Sequence, residues 1–337
     1  MLREAREAPR IVARLIAENE GACRALGERL RAAPPPFAVT CGRGSSDNAA
    51  TFARYLFEIR LGTVTASVGP SVRSVYAATP RMRGALFLAI SQSGKSPDLL
   101  QLAEAARAEG AVTVALVNDA SSPLAALCET VLPLHAGPER SVAATKSFIA
   151  ALAAILQLAA HWRRDSALLE ALARLPDDLD AALRRDWSAG VPILAAAKNL
   201  YVVGRGPGFA IAQEAALKLK ETSGLHAEAL SAAELMHGPL ALAGADFPVL
   251  VFCPPDEALA GIMELVHDLH KRRVPVIVAG PRAVPGIVTL PIGDGLDPHT
   301  APLALIQSFY PLVDAIARAR GRDPDNPPHL KKVTETV

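Results

Sequence analysis

The sequence predicts an α/β protein that contains two tandem copies of one unit, each a three-layer αβα sandwich around a parallel sheet. Short apolar runs, such as residues 85–91, alternate with amphipathic helical stretches, such as residues 97–109. This alternation is typical of parallel strands covered by helices on both faces. The same order of elements recurs 162 residues later, where Gly42-Arg43-Gly44 coincides with Gly204-Arg205-Gly206. We therefore predict that one α/β unit has been duplicated.

The hydrophobic periodicity places each element in turn. In the first half it predicts strands at residues 38–41, 85–91 and 112–117, and helices at residues 46–60 and 97–109. In the second half it predicts strands at residues 200–204, 248–253 and 274–279, and helices at residues 208–222 and 259–271. The charged N-terminus predicts an exposed helix, and Pro176-Asp177-Asp178 predicts a helix start. The predicted domains are residues 1–165, a helical connection at 166–190, residues 191–320, and an extended tail at 321–337.

The composition argues against several classes of protein. The chain has 337 residues, with 35 basic and 34 acidic side chains, and its formal net charge of +1 favours neither nucleic acid nor a membrane surface. Four cysteines form no CxxC pair, so reduced thiols are expected rather than a metal site. The N-terminus has no apolar stretch of signal-peptide type, and the longest apolar run is too short to span a bilayer. We expect a cytoplasmic protein with no nucleic-acid or membrane partner.

A serine-rich loop at residues 91–96 has the features of a phosphate site. The loop follows a buried strand and opens a helix, with Ser96 as the predicted N-cap and Pro97 at the first helical position. Free backbone N–H groups and the helix dipole favour an anion there, and Ser91, Gln92 and Ser93 add neutral donors. The alternative is an ordinary polar turn. A Walker motif is absent, which argues against ATP.

The corresponding loop of the second half differs in a way that limits the number of sites. It reads Cys253-Pro254-Pro255-Asp256, where the prolines remove N–H donors and no serine is present. One phosphate site per chain is therefore expected. The glycine-rich loop that begins at Gly42 lacks the third spaced glycine of a dinucleotide fingerprint, so we interpret Ser45 and Ser46 as sugar contacts instead.

Three charged residues share one face of the helix predicted at 208–222. Glu214, Lys218 and Glu221 are spaced i, i+4 and i+7. The common alternative is a solvated salt-bridge face, but the helix follows a glycine-rich loop at a strand end, where ligands bind in open α/β folds. His237 precedes Gly-Pro on a predicted turn, and near a carboxylate and a lysine it is an acid/base candidate.

These segments together resemble a known family. The stretches SQSGKSPD at 91–98, SVAATKSF at 141–148, EAALKLKETSGLHAEALSAAELMHGPLAL at 214–242 and DNPPHLKKVTE at 325–335 are similar to the isomerase half of glucosamine-6-phosphate synthase. That half is built from two sugar isomerase (SIS) domains of flavodoxin-like fold. The resemblance covers nearly all of the chain and implies a phosphorylated amino sugar or fructose 6-phosphate as the ligand, with no metal or redox cofactor.

The resemblance also implies a role for each matching residue. Ser91, Gln92, Ser93 and Ser96 fall on phosphate ligands, and Ser46, the backbone of Val142 and Lys331 fall on substrate contacts. Glu221 falls on the base that moves a proton between C1 and C2, and Lys218 lies beside the developing enediolate. His237 falls on a ring-opening histidine that the neighbouring subunit supplies, which implies a homodimer. Lys332 falls on a lysine that can form a Schiff base, within a tail that closes the active site.

Departures from the family pattern shape the expected reaction. Ser96 stands where the synthase has threonine, and Ala144 stands where a serine touches the sugar. The sequence starts at the isomerase half, so an ammonia-supplying glutaminase domain is not expected. The expected activity is therefore that of a glucosamine-6-phosphate deaminase, which forms fructose 6-phosphate and ammonia. Alternatives are a deaminase or isomerase for galactosamine 6-phosphate or fructosamine 6-phosphate, an ammonia-dependent synthase, a simple aldose–ketose phosphate isomerase, or a non-catalytic sugar-phosphate sensor.

Overall fold

The computed structural model describes residues 1–330 and residue 332. They form two compact units, each with its own parallel sheet. The N-unit contains residues 10–139, residues 146–174 and Lys332. The C-unit contains residues 1–9, 140–145 and 175–330. The short segment at 140–145 therefore belongs to the C-unit although its flanking residues belong to the N-unit.

The first half of the chain alternates strands and helices as the periodicity predicts. Its strands are β1 (Ala38–Cys41), β2 (Thr65–Ser67), β3 (Leu86–Ser91), β4 (Val112–Val117) and β5 (Thr130–Pro133). Its helices are α1 (Leu2–Ala5), α2 (Ala8–Ala32), α3 (Ser45–Leu61), α4 (Ser71–Ser74), α5 (Pro97–Ala108), α6 (Pro123–Leu127) and α7 (Lys146–Arg163). The order of the sheet is β2-β1-β3-β4-β5, with all pairs parallel. Strand β3 is buried along its whole length because each side chain packs under a helix on one face or the other.

The second half repeats this architecture. Helix α8 (Ser166–Leu183) and a 3₁₀ turn at Ser188–Gly190 lead into it. Its strands are β6 (Asn199–Gly204), β7 (His226–Ser231), β8 (Val249–Phe252), β9 (Val276–Gly280) and β10 (Val288–Pro291). Its helices are α9 (Val191–Ala196), α10 (Pro207–Ser223), α11 (Ala232–Leu235), α12 (Leu259–Lys271) and α13 (Ala301–Ala319), with a 3₁₀ turn at Pro239–Leu242. The sheet order is β7-β6-β8-β9-β10, which is the order of the first sheet element for element.

The predicted duplication is confirmed down to single residues. Helix α10 begins and ends 162 residues after α3 begins and ends. Strand register shifts by the same amount, since Val39 pairs with Phe87 in one sheet and Tyr201 with Val249 in the other. The N-cap glycines share one unusual conformation, with φ 55° and ψ −127° at Gly44 and φ 57° and ψ −135° at Gly206. A positive φ of this kind strongly favours glycine, so both loops require a glycine at the residue before the helix.

Two predictions from the sequence are wrong. Pro176 does not start a helix but lies inside α8, which continues through it because Leu172, Leu175 and Leu179 bury an apolar face that outweighs the lost hydrogen bond. The N-terminus is not an exposed helix, since Glu4 is buried. Its carboxylate accepts the backbone N–H groups of Arg140 at 2.5 Å and Ser141 at 3.2 Å, and these bonds offset the cost of burying the charge.

The helices also bear on membrane association. Within residues 1–330, none is at once long enough and apolar enough to cross a bilayer.

Candidate functional site

In the N-unit, two loops flank the point where the order of the sheet reverses. Strands β1 and β3 are neighbours, and the chain leaves their carboxyl ends through the loops at residues 42–44 and 92–96. In open parallel sheets this crevice is where ligands bind. Helix α3 begins at Ser45 and α5 at Pro97, so two helix N-termini follow these loops directly. The predicted phosphate cradle thus lies where the fold favours an anion.

The backbone of the cradle is shaped by two of its own serines and one glycine. Ser91 Oγ accepts the backbone N–H of Gly94 at 3.0 Å, and Ser93 Oγ accepts that of Lys95 at 3.4 Å. Gly94 has φ 63°, and a Cβ atom there would lie 2.2 Å from Ser122 Oγ. Only glycine fits, because both the backbone conformation and the space exclude a side chain. The loop is therefore a curled turn rather than an extended linker.

Several polar groups of this crevice are accessible. Ser96 is the N-cap of α5 as predicted, yet its side chain makes no capping bond to the helix. Gln92, Ser93 and Ser96 are partly exposed, whereas Ser91 is buried. Ser46 lies in the first turn of α3 and is also partly exposed. These hydroxyl and amide groups are donors that a phosphate monoester can use without a fixed positive charge.

An ion pair that the sequence did not reveal joins the loop at 42–44 to the first turn of α5. Arg43 Nε donates to Asp98 Oδ2 at 2.9 Å, and its Nη2 contacts the same oxygen. The Asp98 side chain is fully buried, whereas Arg43 is about half exposed at 47%. A buried carboxylate beside a phosphate site would repel the ligand, so the guanidinium compensates its charge. Asp98 also accepts the backbone N–H of Leu99 at 2.8 Å.

In the C-unit, the three charged residues of α10 form one cluster, as their spacing predicts. Lys218 Nζ lies 2.5 Å from Glu221 Oε2 and 3.4 Å from Glu214 Oε1. The side chains of Glu214 and Lys218 are buried, and that of Glu221 is 19% exposed. The alternative of a solvated salt-bridge face is therefore wrong. Lys218 and Glu221 lie in the last two turns of the helix, whereas the glycine-rich loop that motivated the prediction lies before its first turn.

The electrostatics of this cluster fix the charge of its lysine. Burial acts to lower the pKa of Lys218, but the charges of Glu214 and Glu221 outweigh burial and raise that pKa above its ordinary value. Lys218 is thus favoured as a buried cation between the two carboxylates. Glu221 is the member of the trio that reaches the surface, with one oxygen on the ammonium. A carboxylate held beside a fixed cation can accept a proton from carbon while the cation stabilises the negative charge that develops.

A family model described as the SIS domain matches residues 38–161 and 193–279, which are the two repeated units. The chain belongs to the SIS domain family.

Relatives of this SIS protein include proteins that act on sugar phosphates. A glutamine–fructose-6-phosphate aminotransferase (isomerizing) from Thermotoga maritima is 36% identical over 270 residues, which cover 74% of this chain and 43% of the relative. The chain thus spans about half the length of such curated relatives. A structure from Silicibacter pomeroyi, provisionally described as a phosphosugar isomerase, is 42% identical with a TM-score of 0.89 and covers 96% of this chain and 99% of its own. A glucosamine-6-phosphate deaminase from Thermotoga maritima shares the fold at 22% identity, with a TM-score of 0.72 over 97% of this chain and 100% of its own.

The remaining predicted residues of the SIS protein are His237 and Val142 in the C-unit and Lys332 in the N-unit. His237 is exposed in the turn between α11 and the following 3₁₀ turn, as its Gly-Pro context predicts. Val142 is partly exposed in the C-unit segment 140–145, next to Ser141, whose N–H bonds Glu4. Lys332 belongs to the N-unit, and Lys331 lies outside the described residues.

Lys332 contacts a carboxylate that sequence reasoning missed. Its Nζ atom lies 3.2 Å from Glu139 Oε2. The Glu139 side chain is fully buried and also accepts the hydroxyl of Ser147 at 2.6 Å. The two charged residues are 193 positions apart, and no spacing in the sequence could have joined them.

The structure therefore brings the predicted residues together in groups. Lys218 joins Glu221 in the C-unit, and Ser91, Gln92, Ser93 and Ser96 join Ser46 in the N-unit crevice. Arg43 and Asp98 are additional residues beside the cradle, whereas Glu4 and Glu139 bind elsewhere. Asp98 could have been found from the sequence, because it is an acidic residue directly after the cradle.

Proposed function

We propose that the protein interconverts an amino-sugar phosphate and a keto-sugar phosphate, and that it converts glucosamine 6-phosphate and water into fructose 6-phosphate and ammonia. The observation that carries this proposal is the buried Lys218 between two carboxylates, one of which reaches the surface. Proton transfer between C1 and C2 needs such a base beside such a cation. The first steps are binding of the phosphate by the cradle at 91–96 and contacts from Ser46 and the Val142 backbone to the sugar.

The chemistry then proceeds in three steps. His237 helps to open the pyranose ring, which exposes the C1 aldehyde beside the C2 amine. Glu221 removes the proton from C2 and returns it to C1, while Lys218 stabilises the negative charge on the oxygen of the intermediate. The product carries an imine at C2. Water adds to C2 and ammonia leaves, either directly or after the imine has been exchanged onto Lys332.

We propose the hydrolytic direction because water is the abundant co-substrate. Synthesis would need ammonia, which at neutral pH is mostly ammonium, and ammonium has no free electron pair with which to attack the sugar. The relatives support a sugar phosphate as the ligand, since one is named for fructose 6-phosphate and an isomerising step. The shared fold of a protein named glucosamine-6-phosphate deaminase is compatible with the proposal.

The direct test is to incubate the protein with glucosamine 6-phosphate and to measure ammonia and fructose 6-phosphate together. Equal amounts of both products are expected. Galactosamine 6-phosphate, fructosamine 6-phosphate and N-acetylglucosamine 6-phosphate serve as competing substrates. Ammonia from a different sugar alone would change the substrate. Isomerisation of an aldose phosphate without ammonia would make the protein a simple isomerase, and no reaction with any of them would favour a sensor.

We also propose that the protein is a homodimer in which His237 serves the site of the neighbouring copy. The test mixes two inactive variants, E221Q and H237N, under conditions that exchange subunits. If His237 acts across the interface, the mixed dimer has one site with both wild-type residues, and activity returns. If His237 acts within its own chain, both sites of the mixed dimer lack one residue, and the mixture stays inactive.

A further inference from the structure

We propose that Glu139 is a positioning residue for Lys332: it holds the amine of the tail in place and takes the proton that the amine must lose before it attacks the sugar imine. This inference rests on the proposed function, in which Lys332 exchanges with ammonia at C2. The structure supports it through one buried carboxylate that contacts both Ser147 and Lys332.

The contacts of Glu139 are unequal. Its Oε1 atom accepts the backbone N–H of Ser147 at 3.3 Å, and its Oε2 atom accepts the Ser147 hydroxyl at 2.6 Å. The same Oε2 atom lies 3.2 Å from Lys332 Nζ. Ser147 is the second residue of α7, so the carboxylate is anchored rigidly at the start of a buried helix. The lysine is the partner that comes from the tail.

Burial distinguishes this pair from a surface ion pair. The Glu139 side chain is 0% exposed, whereas the Lys332 side chain is 25% exposed. A buried carboxylate needs hydrogen bonds and a counter-charge, and the tail lysine supplies a positive charge at 3.2 Å. This contact places the amine of Lys332 on Glu139 and leaves the amine partly open to a ligand.

The exchange step balances with these two residues alone. Lys332 Nζ passes a proton to Glu139, and the neutral amine adds to C2 of the imine. One proton of the attacking nitrogen moves to the nitrogen that leaves, and Glu139 then returns its own proton to that same nitrogen. The bond from C2 to that nitrogen breaks, and ammonia departs. The result is an imine between C2 and Lys332, which water later cleaves to give fructose 6-phosphate and the free lysine.

The experiment traps that imine. Wild-type protein is mixed with fructose 6-phosphate and borohydride, and the mass of the tail peptide reports reductive attachment to Lys332. In E139Q, which keeps the shape and loses the charge, we expect trapping to slow by about 10²-fold, as for loss of a general base. The matched control is E129Q, which removes an exposed carboxylate paired with Arg29 and should trap at the wild-type rate. E139D keeps the charge and should recover part of the rate.

Three further readouts separate the outcomes. Binding of inorganic phosphate and thermal unfolding should be nearly unchanged in E139Q, which excludes a general loss of structure. If E139Q does not fold, E139D is the variant to test, because its carboxylate is shifted by one methylene. Trapping at the wild-type rate in E139D would then contradict the positioning role. A folded E139Q that traps at the wild-type rate overturns the inference and leaves the proposed function intact. A wild-type protein that releases ammonia without any trapping overturns the role of Lys332 and, with it, that of Glu139. A wild-type protein that does neither overturns the proposed function as well.

Discussion

Helices α3 and α10 occupy the same place in the two repeats, but their buried faces differ in character. Phe52 and Leu56 of α3 are 0% and 1% exposed. The residues at the equivalent positions of α10, Glu214 and Lys218, are equally buried. A buried ion pair is rarely more stable than apolar residues of similar volume. The first repeat shows that the scaffold accepts an apolar face here, so the charges of α10 call for a chemical rather than a structural explanation.

The loops show the reverse pattern. Ser91 in the first repeat corresponds to Cys253 in the second, where burial raises the pKa of the thiol to about 12 and keeps it protonated. Prolines follow Cys253, whereas a curled loop with partly exposed hydroxyl and amide side chains follows Ser91. One repeat therefore carries the candidate phosphate cradle at the start of its helices, and the other carries the Lys218 cluster toward the end of the corresponding helix. We interpret this difference as a division of labour between copies of one fold.

The largest change in the free energy of unfolding is expected when the buried charges of α10 are replaced by apolar residues like those of α3. In K218M, Glu214 loses the ammonium that faces it inside the protein, and the free energy of unfolding should fall by about 3–5 kcal/mol. The double variant E214L/K218M removes both charges and should regain most of this loss. Urea denaturation measures both, and ammonia release should be absent from both. A double variant as unstable as K218M would contradict the comparison.

A smaller loss is expected at the cradle when its compensating charge is removed. In R43M, the Asp98 carboxylate stays buried without its guanidinium, and unfolding should become easier by about 1–3 kcal/mol. Phosphate affinity should fall as well, because the carboxylate charge now faces the ligand. R43M/D98N should recover both properties, as measured by calorimetry and phosphate titration. Weak phosphate binding in the double variant would mean that Arg43 contacts the ligand itself.

A single donor of the cradle should matter moderately for binding of the sugar phosphate, and a polar residue in the corresponding loop of the second repeat should not matter at all. S93A removes one neutral hydrogen bond, worth about 0.5–1.5 kcal/mol, so the affinity for the sugar phosphate should fall roughly 2- to 10-fold. D256N changes the loop of the second repeat and should leave this affinity unchanged. An equal loss in D256N would show that both repeats bind phosphate.

The smallest effect concerns how the thermal stability of the protein depends on pH through Asp256, in the loop that follows β8. Burial raises the pKa of the Asp256 carboxyl above its ordinary value. The native state thus favours the protonated form of Asp256. Protonation of Asp256 stabilises the native state fully below the ordinary pKa of the carboxyl, and this stabilisation is lost as the pH rises through the raised pKa of the native state. D256N should therefore unfold at a slightly higher temperature than wild type at pH 7, with no gain at pH 3. A gain that is equal at both values would contradict the assignment.

Patterns within one element were sufficient to predict the inner strands, the helices α3, α5, α10 and α12, and the shared face of the charged residues on α10, because periodicity reports directly which side chains share a surface. Edge strands were missed where polarity hides the pattern, as in β7, which reads His-Ala-Glu-Ala-Leu-Ser. Contacts between distant residues were also missed. Arg43 with Asp98 and Glu139 with Lys332 depend on the folded backbone, and no local spacing encodes them.

The most direct test of the division of labour is hydrogen exchange at the sugar in heavy water with the variant E221Q. The Glu221 side chain is partly exposed, so the change should leave folding and phosphate binding close to wild type. The proton that Glu221 takes from C2 can exchange with solvent before it is returned, so wild-type protein should place solvent deuterium at C1 of the fructose 6-phosphate that it forms from glucosamine 6-phosphate. E221Q should bind the same sugar and lose this exchange by about 10²- to 10⁴-fold. Wild-type exchange in E221Q would contradict the account, because the proton would then be moved by another residue.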